Sequence, residues 1–584
     1  MHSPFAVLDF PESPARPGGG SLAFERPRVV LQAATLGEVA DVLHAVDEEV
    51  ASGRHAVGFV AYEAGSAFDP ALGAHAPSAL PLAWFAICDA PIPRRPERAG
   101  GAAAHWSHRT SGDAYTRTVA SIRAAIGRGD VYQVNYTIPL DVEFDGDTAA
   151  LYARLLAAQG PGYGARIHTG RFEILSASPE LFIQRTGTRI ESKPMKGTAR
   201  RGRWLEEDDR HANALAASPK ERAENVMIVD LIRNDIGRVA VAGSVTVPRL
   251  FEVERRPTVL QMTSTVSATL RPHLSTWELF AALFPCGSVT GAPKVAATRM
   301  IAELEGAPRG VYCGAIGHVA PGGDCTFSVA IRTLTIDHEA RRATYGVGSG
   351  ITWDSADDAE FDEVIAKAGI LTADLPAFDL IETLRLEGGR YARLERHLDR
   401  MERSASYFGV ASPASLRAAA GSALGAHAGR TPRDAVERVR LAITLDGTAS
   451  VTSAPVPRAN GAPPRVAIAS SPVKRSNRFL FHKTTHRAIY ERHQREHPDA
   501  FDVLLWNEDG ELTEFTIGNV VVEIEGRRWT PPRACGLLAG VFRNELLERG
   551  EVAERVLRRE DLVRATRMWL INSLREWVEV SLSP

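Results

Sequence analysis

Residues 172–198 read FEILSASPELFIQRTGTRIESKPMKGT, two strand-like runs about a Thr-Gly-Thr turn. Runs rich in β-branched and aromatic residues on either side of a glycine turn fold back as neighbouring strands. That reading sets Glu180 and Lys196 at roughly matching positions, an acid and an amine facing one place. For an isolated Glu and Lys, a surface salt bridge is the simplest account. The flanking sequence has to decide.

Two helical patterns lie downstream. In AENVMIVDLIRNDIGRV (223–239), Met227, Ile228, Leu231 and Ile232 make an apolar stripe with Glu224 at its start. In the helix read over 357–371, Glu360, Glu363 and Lys367 fall on one face, and Glu363 with Lys367 has the i,i+4 order of a stabilising ion pair. GVGSG (346–350) and PCGSVTGAPK (285–294) are turns whose backbone amides suit an anion. FSVAIRT brings Arg332 to the end of an apolar run. Each feature alone has an ordinary structural explanation.

At 584 residues the chain exceeds what one hydrophobic core holds, so two or three domains are expected. RRPERAGGAAAH (94–105) reads as a connection, and LTADLP (371–376) as the end of a helix before a new strand pattern. The division is therefore an N-terminal lobe (1–105), a catalytic region (106–374) and a C-terminal domain (375–584), the last split into two lobes at PVPRANGAPP (455–464). A net charge of −3 without a basic block gives no reason to expect nucleic acid or a membrane surface as partner. Five scattered cysteines without CxxC spacing argue against disulfides and zinc. No apolar run nears 18 residues and MHSPFAVLDF lacks a basic-then-apolar leader, so the cytoplasm is the expected location.

Taken in order, GDVYQVN (129–135), SASPELF (176–182), KPMKGTARR (193–201), the 223–239 helix, PCGSVTGAPK, VYCGAIG (311–317), FSVAIRT (327–333) and GVGSGITWDS (346–355) with its following helix resemble the chorismate-binding enzyme family. The resemblance implies an α+β fold of large antiparallel sheets packed together and flanked by helices. It implies Mg²⁺ on Glu224 and Glu363, with Glu360 in support. Substrate carboxylates fall to Arg332, Lys367, Tyr312, Thr290 and the backbone of Gly291, Gly348 and Ser349. Glu180 matches the general acid for the hydroxyl leaving carbon 4 of chorismate, and must be protonated near neutral pH.

Within that resemblance Lys196 discriminates. Anthranilate synthases carry alanine at this position. Isochorismate and salicylate synthases place their water-activating lysine where Gln133 stands here, and an amide is no base. A nucleophilic lysine suits replacement of the carbon 4 hydroxyl by ammonia through two displacements. No cysteine lies on a GxCxG-like turn, so the ammonia is expected from a separate glutamine amidotransferase subunit.

From Phe378 onward, FDLIETLRLEGGRYARLERHLDRMERSASYFG, FHKTTHR, FDVLLWNEDGELTEFTIGNVVV, TPPRACGLLAGVFR and INSLREW resemble class IV aminotransferases, implying a pyridoxal-phosphate domain of two α/β lobes. Lys483 matches the lysine that holds pyridoxal phosphate covalently, and Glu514 the carboxylate beneath its pyridine nitrogen. Arg400, Ser573 and the amides of Val541 and Phe542 match the phosphate contacts. Gly518 and Phe542 depart from the Ser and Thr common in relatives. The order of domains implies amination of chorismate to aminodeoxychorismate, then elimination of pyruvate to 4-aminobenzoate for folate. The open alternative is an anthranilate synthase joined to an amino-acid aminotransferase. Relatives of the second domain pair, so a homodimer through it is expected.

Overall fold

The computed structural model describes residues 5–11, 20–94, 106–108, 110–355, 357–372, 376–410, 412–456 and 463–583. Most of the 94–105 connection, residues 373–375 at the domain junction and residues 457–462 lie outside them. The chain divides into two compact units, Met1–Arg200 with Ala212–Leu375, and Arg201–His211 with Pro376–Pro584. The α+β class holds throughout.

Two ten-stranded sheets form the first unit. One runs through Gln133–Glu143, Arg342–Ile351, Thr333–Asp337, Phe172–Ser178 and Tyr163–His168; the other through Met195–Arg200, Val259–Thr269, Arg189–Lys193, Leu181–Thr186 and Cys325–Val329. Every pairing is antiparallel, which lets short turns connect neighbours. The described strands before Arg94 do not make a lobe of their own. Phe5–Asp9 pairs with Tyr163–His168 in one sheet, and His55–Val60 pairs with Ala315–Val319 in the other. Composition marked a boundary at 94–105, but strand pairing crosses it, because distant segments complete each sheet.

The opening stretch folds as a hairpin with one amendment. Leu181 faces Lys193 across Leu181–Thr186 and Arg189–Lys193; Pro194 then interrupts the ladder, and Lys196 lies on the next strand, Met195–Arg200, paired to Val259–Thr269. Proline has no N–H to donate, so pairing stops there. Gly197 at φ +101° gives the kink that shifts register between Met195 and Thr198.

The 223–239 helix begins earlier, at Pro219, with Ser218 capping it through the Glu221 amide and proline at the first turn. The second expected helix spans Asp357–Ala368 and tightens into Gly369–Leu371.

In the second unit, a four-stranded sheet centred on Leu380–Glu387 and Val436–Ile443 packs on helices Leu394–Tyr407 and Pro413–Ala428 through Leu384, Leu398, Leu416 and Leu441. An eight-stranded sheet follows, with its core around Leu504, Val520, Val522 and Leu570. Residues 201–211 join this unit: Trp204 stacks near Phe481 at 5.1 Å between the guanidiniums of Arg203 and Arg533, each 4.8 Å away. No helix among the described residues is long and apolar enough to cross a membrane.

Candidate active sites

In the first unit one cavity is lined by Glu180, Lys196, Glu221, Glu224, Tyr312, Arg332, Gly348, Ser349, Glu360, Glu363 and Lys367. Register alone did not bring Glu180 to Lys196. The Pro194 break and the Gly197 kink did. Asn225, on the helix of Glu224, donates to the Lys196 carbonyl at 3.2 Å and accepts from the Ser264 hydroxyl at 2.6 Å, locking the Lys196 strand to that helix.

The Lys196 ammonium stands 3.9 Å from Glu224. Burial lowers its pKa, Glu224 opposes that, and the Lys367 ammonium lowers it further. Glu180 is 2% exposed, with one carboxyl oxygen unpartnered among the described residues. Burial pushes its pKa up to about 7, against the Ser288 hydroxyl, the Met195 amide and Lys196. A carboxyl in that state holds a proton near neutrality. Gln133 is fully buried, and neither of its side-chain amide atoms has a hydrogen-bond partner among the described residues. Its amide nitrogen and the Lys196 amine both crowd the point where a β-carbon on Gly350 would stand.

Glu221, Glu224, Glu360 and Glu363 present a wall of carboxylates. Burial and then Glu224 raise the Glu221 pKa, the mark of crowded anions. This hard-oxygen donor set fits a magnesium ion. Glu363 pairs with Lys367 at 2.7 Å, and Ser349 donates to Glu360. Burial raises the Glu363 pKa, but Lys367 outweighs it and keeps the group ionised. Glu221 escaped the sequence reading, although its i,i+3 spacing to Glu224 was visible.

Arg332 is half-buried at φ +53°, a strained backbone for a residue with a β-carbon. Its guanidinium donates to the Gln159 side chain and has no carboxylate partner among the described residues. Burial lowers its pKa. A desolvated guanidinium without an acid suits an incoming carboxylate. Tyr312 packs its ring on Gly346, where any β-carbon would collide, and Lys367 also donates to the Gly348 carbonyl at 3.2 Å. Thr290 and Gly291 stand off the cavity wall. The Thr290 hydroxyl bonds back to the carbonyls of Cys286 and Gly287, and Gly291 pairs with Val134.

In the second unit a cavity of about 470 Å³ gathers Lys483, Glu514, Arg400, Val541 and Ser573. Burial lowers the Lys483 pKa to about 8, and Arg400 adds to it, so a large share of the amine is neutral near pH 8. Glu514 accepts from the Tyr490 hydroxyl at 2.8 Å and from Asn519 at 3.3 Å; burial raises its pKa to about 8. A buried carboxyl that keeps its proton to about pH 8 fits a pyridine nitrogen with which it would share that proton. Val541 and Phe542 open the helix Val541–Glu548, where amides lack intrahelical partners, which suits a phosphate.

The sequence reading missed the network behind Arg400. Glu382 takes two bonds from Arg400, one at 2.9 Å and the other at 2.5 Å, and His397 bridges Glu382 at 2.7 Å to the Ser573 hydroxyl at 2.8 Å. A β-carbon on Gly518 would lie 2.7 Å from the Ile571 carbonyl oxygen, so the backbone here leaves no room for a side chain.

Comparison with known proteins agrees with this geometry. Residues 20–373 match the model of chorismate binding enzymes, and residues 379–582 that of class IV aminotransferases. Aminodeoxychorismate synthase component 1 of Escherichia coli K12 is 40% identical over 270 residues, 46% of this chain and 59% of that protein. Anthranilate synthase component 1 of Aquifex aeolicus is 35% identical over 267 residues, 46% of this chain and 54% of its own length. The chain thus spans less than two thirds of the curated relatives it matches. The crystal structure of anthranilate synthase component I from Streptococcus pneumoniae superposes with a TM-score of 0.54 at 25% identity, over 64% of this chain and 93% of that one. With a family model matching most of its length, the chain belongs to the chorismate binding enzymes and carries a class IV aminotransferase domain behind them.

Proposed function

We propose that the protein makes 4-aminobenzoate from chorismate and ammonia in two steps, one in each unit. The observation that carries this reading is Lys196, a buried amine of lowered pKa in the same cavity as the protonatable Glu180 and four carboxylates.

In the first step Arg332, Lys367 and Tyr312 orient chorismate by its carboxylates. Magnesium, held by Glu224 and Glu363, supplies charge neutralisation for the dianion. The Lys196 amine forms a bond to carbon 2 while the carbon 4 hydroxyl leaves as water with the Glu180 proton. Ammonia then bonds to carbon 4 and expels Lys196 from carbon 2, giving aminodeoxychorismate. A glutamine amidotransferase partner would supply the ammonia, a reading supported by the likeness to relatives named component 1.

In the second step pyridoxal phosphate, held by Lys483, Glu514, Arg400 and the amides of Val541 and Phe542, supplies an electron sink. Once the substrate's own amine has displaced it, the freed Lys483 amine would take the proton from carbon 4, the bond from carbon 3 to the enolpyruvyl oxygen breaks, and the departing enolpyruvate collects a proton to become pyruvate. The ring is left aromatic, as 4-aminobenzoate.

The test incubates the purified chain with chorismate, ammonium and magnesium, with and without pyridoxal phosphate. Chromatography should show 4-aminobenzoate only with the cofactor, aminodeoxychorismate without it, and neither in Lys196→Ala. Production of 2-aminobenzoate alone would sink this reading in favour of an anthranilate synthase.

A further inference from the structure

Besides Arg400 the cavity around Lys483 is lined by four arginines that the reaction just described leaves without a role: Arg487 donates to the Thr516 carbonyl, Arg575 lies over the Phe501 ring, and Arg438 and Arg440 come from the four-stranded sheet. The four-stranded sheet of the second unit turns Leu384, Val439 and Leu441 toward its helices. Residues of the other parity, Thr383, Arg438, Arg440 and Thr452, line the Lys483 cavity. Thr383, Arg440 and Thr452 form one rank across three strands; Arg385, Arg438 and Ala454 form the next.

Neither Arg438 nor Arg440 has an ion pair or side-chain hydrogen bond among the described residues, whereas most arginines in this unit do. Arg385, directly opposite Arg438, keeps its own partner Glu387 at 2.9 Å. Like charges facing across strands destabilise a sheet. Two uncompensated guanidiniums in a concave wall make a positive field that favours anions.

Backbone geometry fixes how far they stand from the reacting amine. The Ile381 amide donates to the Lys483 carbonyl at 3.0 Å, and Leu380 bridges to Thr484. Thr383 lies two residues along from Ile381, and Arg440 lies opposite Thr383. Strand rise and spacing put the Arg440 backbone about 8 Å from that of Ile381, within the span of an arginine side chain and a small substrate. Arg438 and Arg440, two residues apart on one face, have backbones about 7 Å apart. That separation matches two carboxylates carried by one ring-sized molecule.

We propose that Arg438 and Arg440 each receive one carboxylate of the same amine substrate, making this site selective for dicarboxylates over the single carboxylate of a simple amino acid. The assignment deepens the reading of Lys483 as the group that meets an amine, and it holds for any dicarboxylic amine, aminodeoxychorismate being the one the first unit would supply. Planar forks pair with carboxylates through two bonds each, so loss of either should show in substrate affinity.

The experiment uses the full chain loaded with pyridoxal phosphate and the variants R438M, R440M and R438M/R440M. With aminodeoxychorismate added directly, each single variant should raise KM at least ten-fold and keep the visible absorption of the bound cofactor. An unchanged KM in the double variant overturns the proposal. Calorimetric titration with isophthalate, a rigid dicarboxylate without an amine, and with benzoate provides a reading without turnover. The wild type should prefer isophthalate at least ten-fold, and the double variant should lose that preference; equal preference in both proteins overturns it. A wild type that binds isophthalate through these arginines but leaves aminodeoxychorismate intact would refute the lyase step and retain the dicarboxylate site.

Discussion

The Lys196 amine occupies the space that a β-carbon on Gly350 would need. Gly350 sits in the strand Arg342–Ile351, opposite Asn135, so the amine is held against bare backbone. Gly350→Ala should leave the strand intact and move the amine. Displacement of a catalytic group by about 1 Å costs on the order of 100-fold in rate. Product formation from chorismate and ammonium should fall by that factor, with the thermal midpoint shifted far less than in a core truncation. Unaltered turnover would place the nucleophile elsewhere.

Glu180 gives the pH dependence its sign. Burial lifts its carboxyl to about 7, and the protonated form is the one that delivers a proton to the leaving hydroxyl. Activity on chorismate should therefore show a falling limb as pH rises through about 7, set against the rising limb of the Lys196 amine, which attacks only when neutral. The measurement is kcat/KM at saturating magnesium, with ammonium adjusted to hold free ammonia constant. Persistence of the falling limb in Glu180→Gln would exclude Glu180 as the acid.

Glu382 ties stability to pH in the opposite direction. Its burial raises the pKa, but Arg400 and His397 outweigh that and hold it at about 2. A folded-state value below the ordinary glutamate value of about 4.3 contributes stability that is present above pH ~4.3 and lost as pH falls toward 2. Glu382→Gln leaves the buried Arg400 and His397 underpartnered, a loss on the order of 3–5 kcal/mol. Denaturant unfolding should show that loss at pH 7 and a smaller difference near pH 3. Retention of pyridoxal phosphate should weaken in parallel.

Trp204 anchors residues 201–211 in the second unit. It is 9% exposed and lies between two guanidiniums over Phe481, whose neighbour His482 bonds to the Arg203 carbonyl at 3.1 Å. Replacing it with Ala should cost about 3–5 kcal/mol, as for other buried tryptophans. The visible cofactor band of the loaded chain should melt at lower temperature, while Trp204→Phe recovers most of the loss. Identical melting of the Ala variant and the wild type would show that this segment adds nothing to the unit.

Ordered motifs carried the family and the α+β class, because residue types at fixed spacings survive as text: helical periodicity placed Glu360, Glu363 and Lys367 on one face, but only the resemblance gave them, Glu224 and Lys483 their roles. The sequence by itself also determined that an acid and an amine flank one turn. Only the tertiary structure decided that Pro194 and Gly197 displace Lys196 onto another strand, that Asn225 locks it to the helix of Glu224, and that burial tunes Glu180 and Lys196 toward each other's protonation states. It also decided that strands between Phe5 and Arg94 complete the two large sheets, that residues 201–211 belong with the second unit, and that Glu382 and His397 stand behind Arg400. The physical reason is common to all of these. Pairing between strands far apart in the chain and the desolvation that shifts a pKa depend on which surfaces meet, and local patterns of residues encode faces and periods but not their partners.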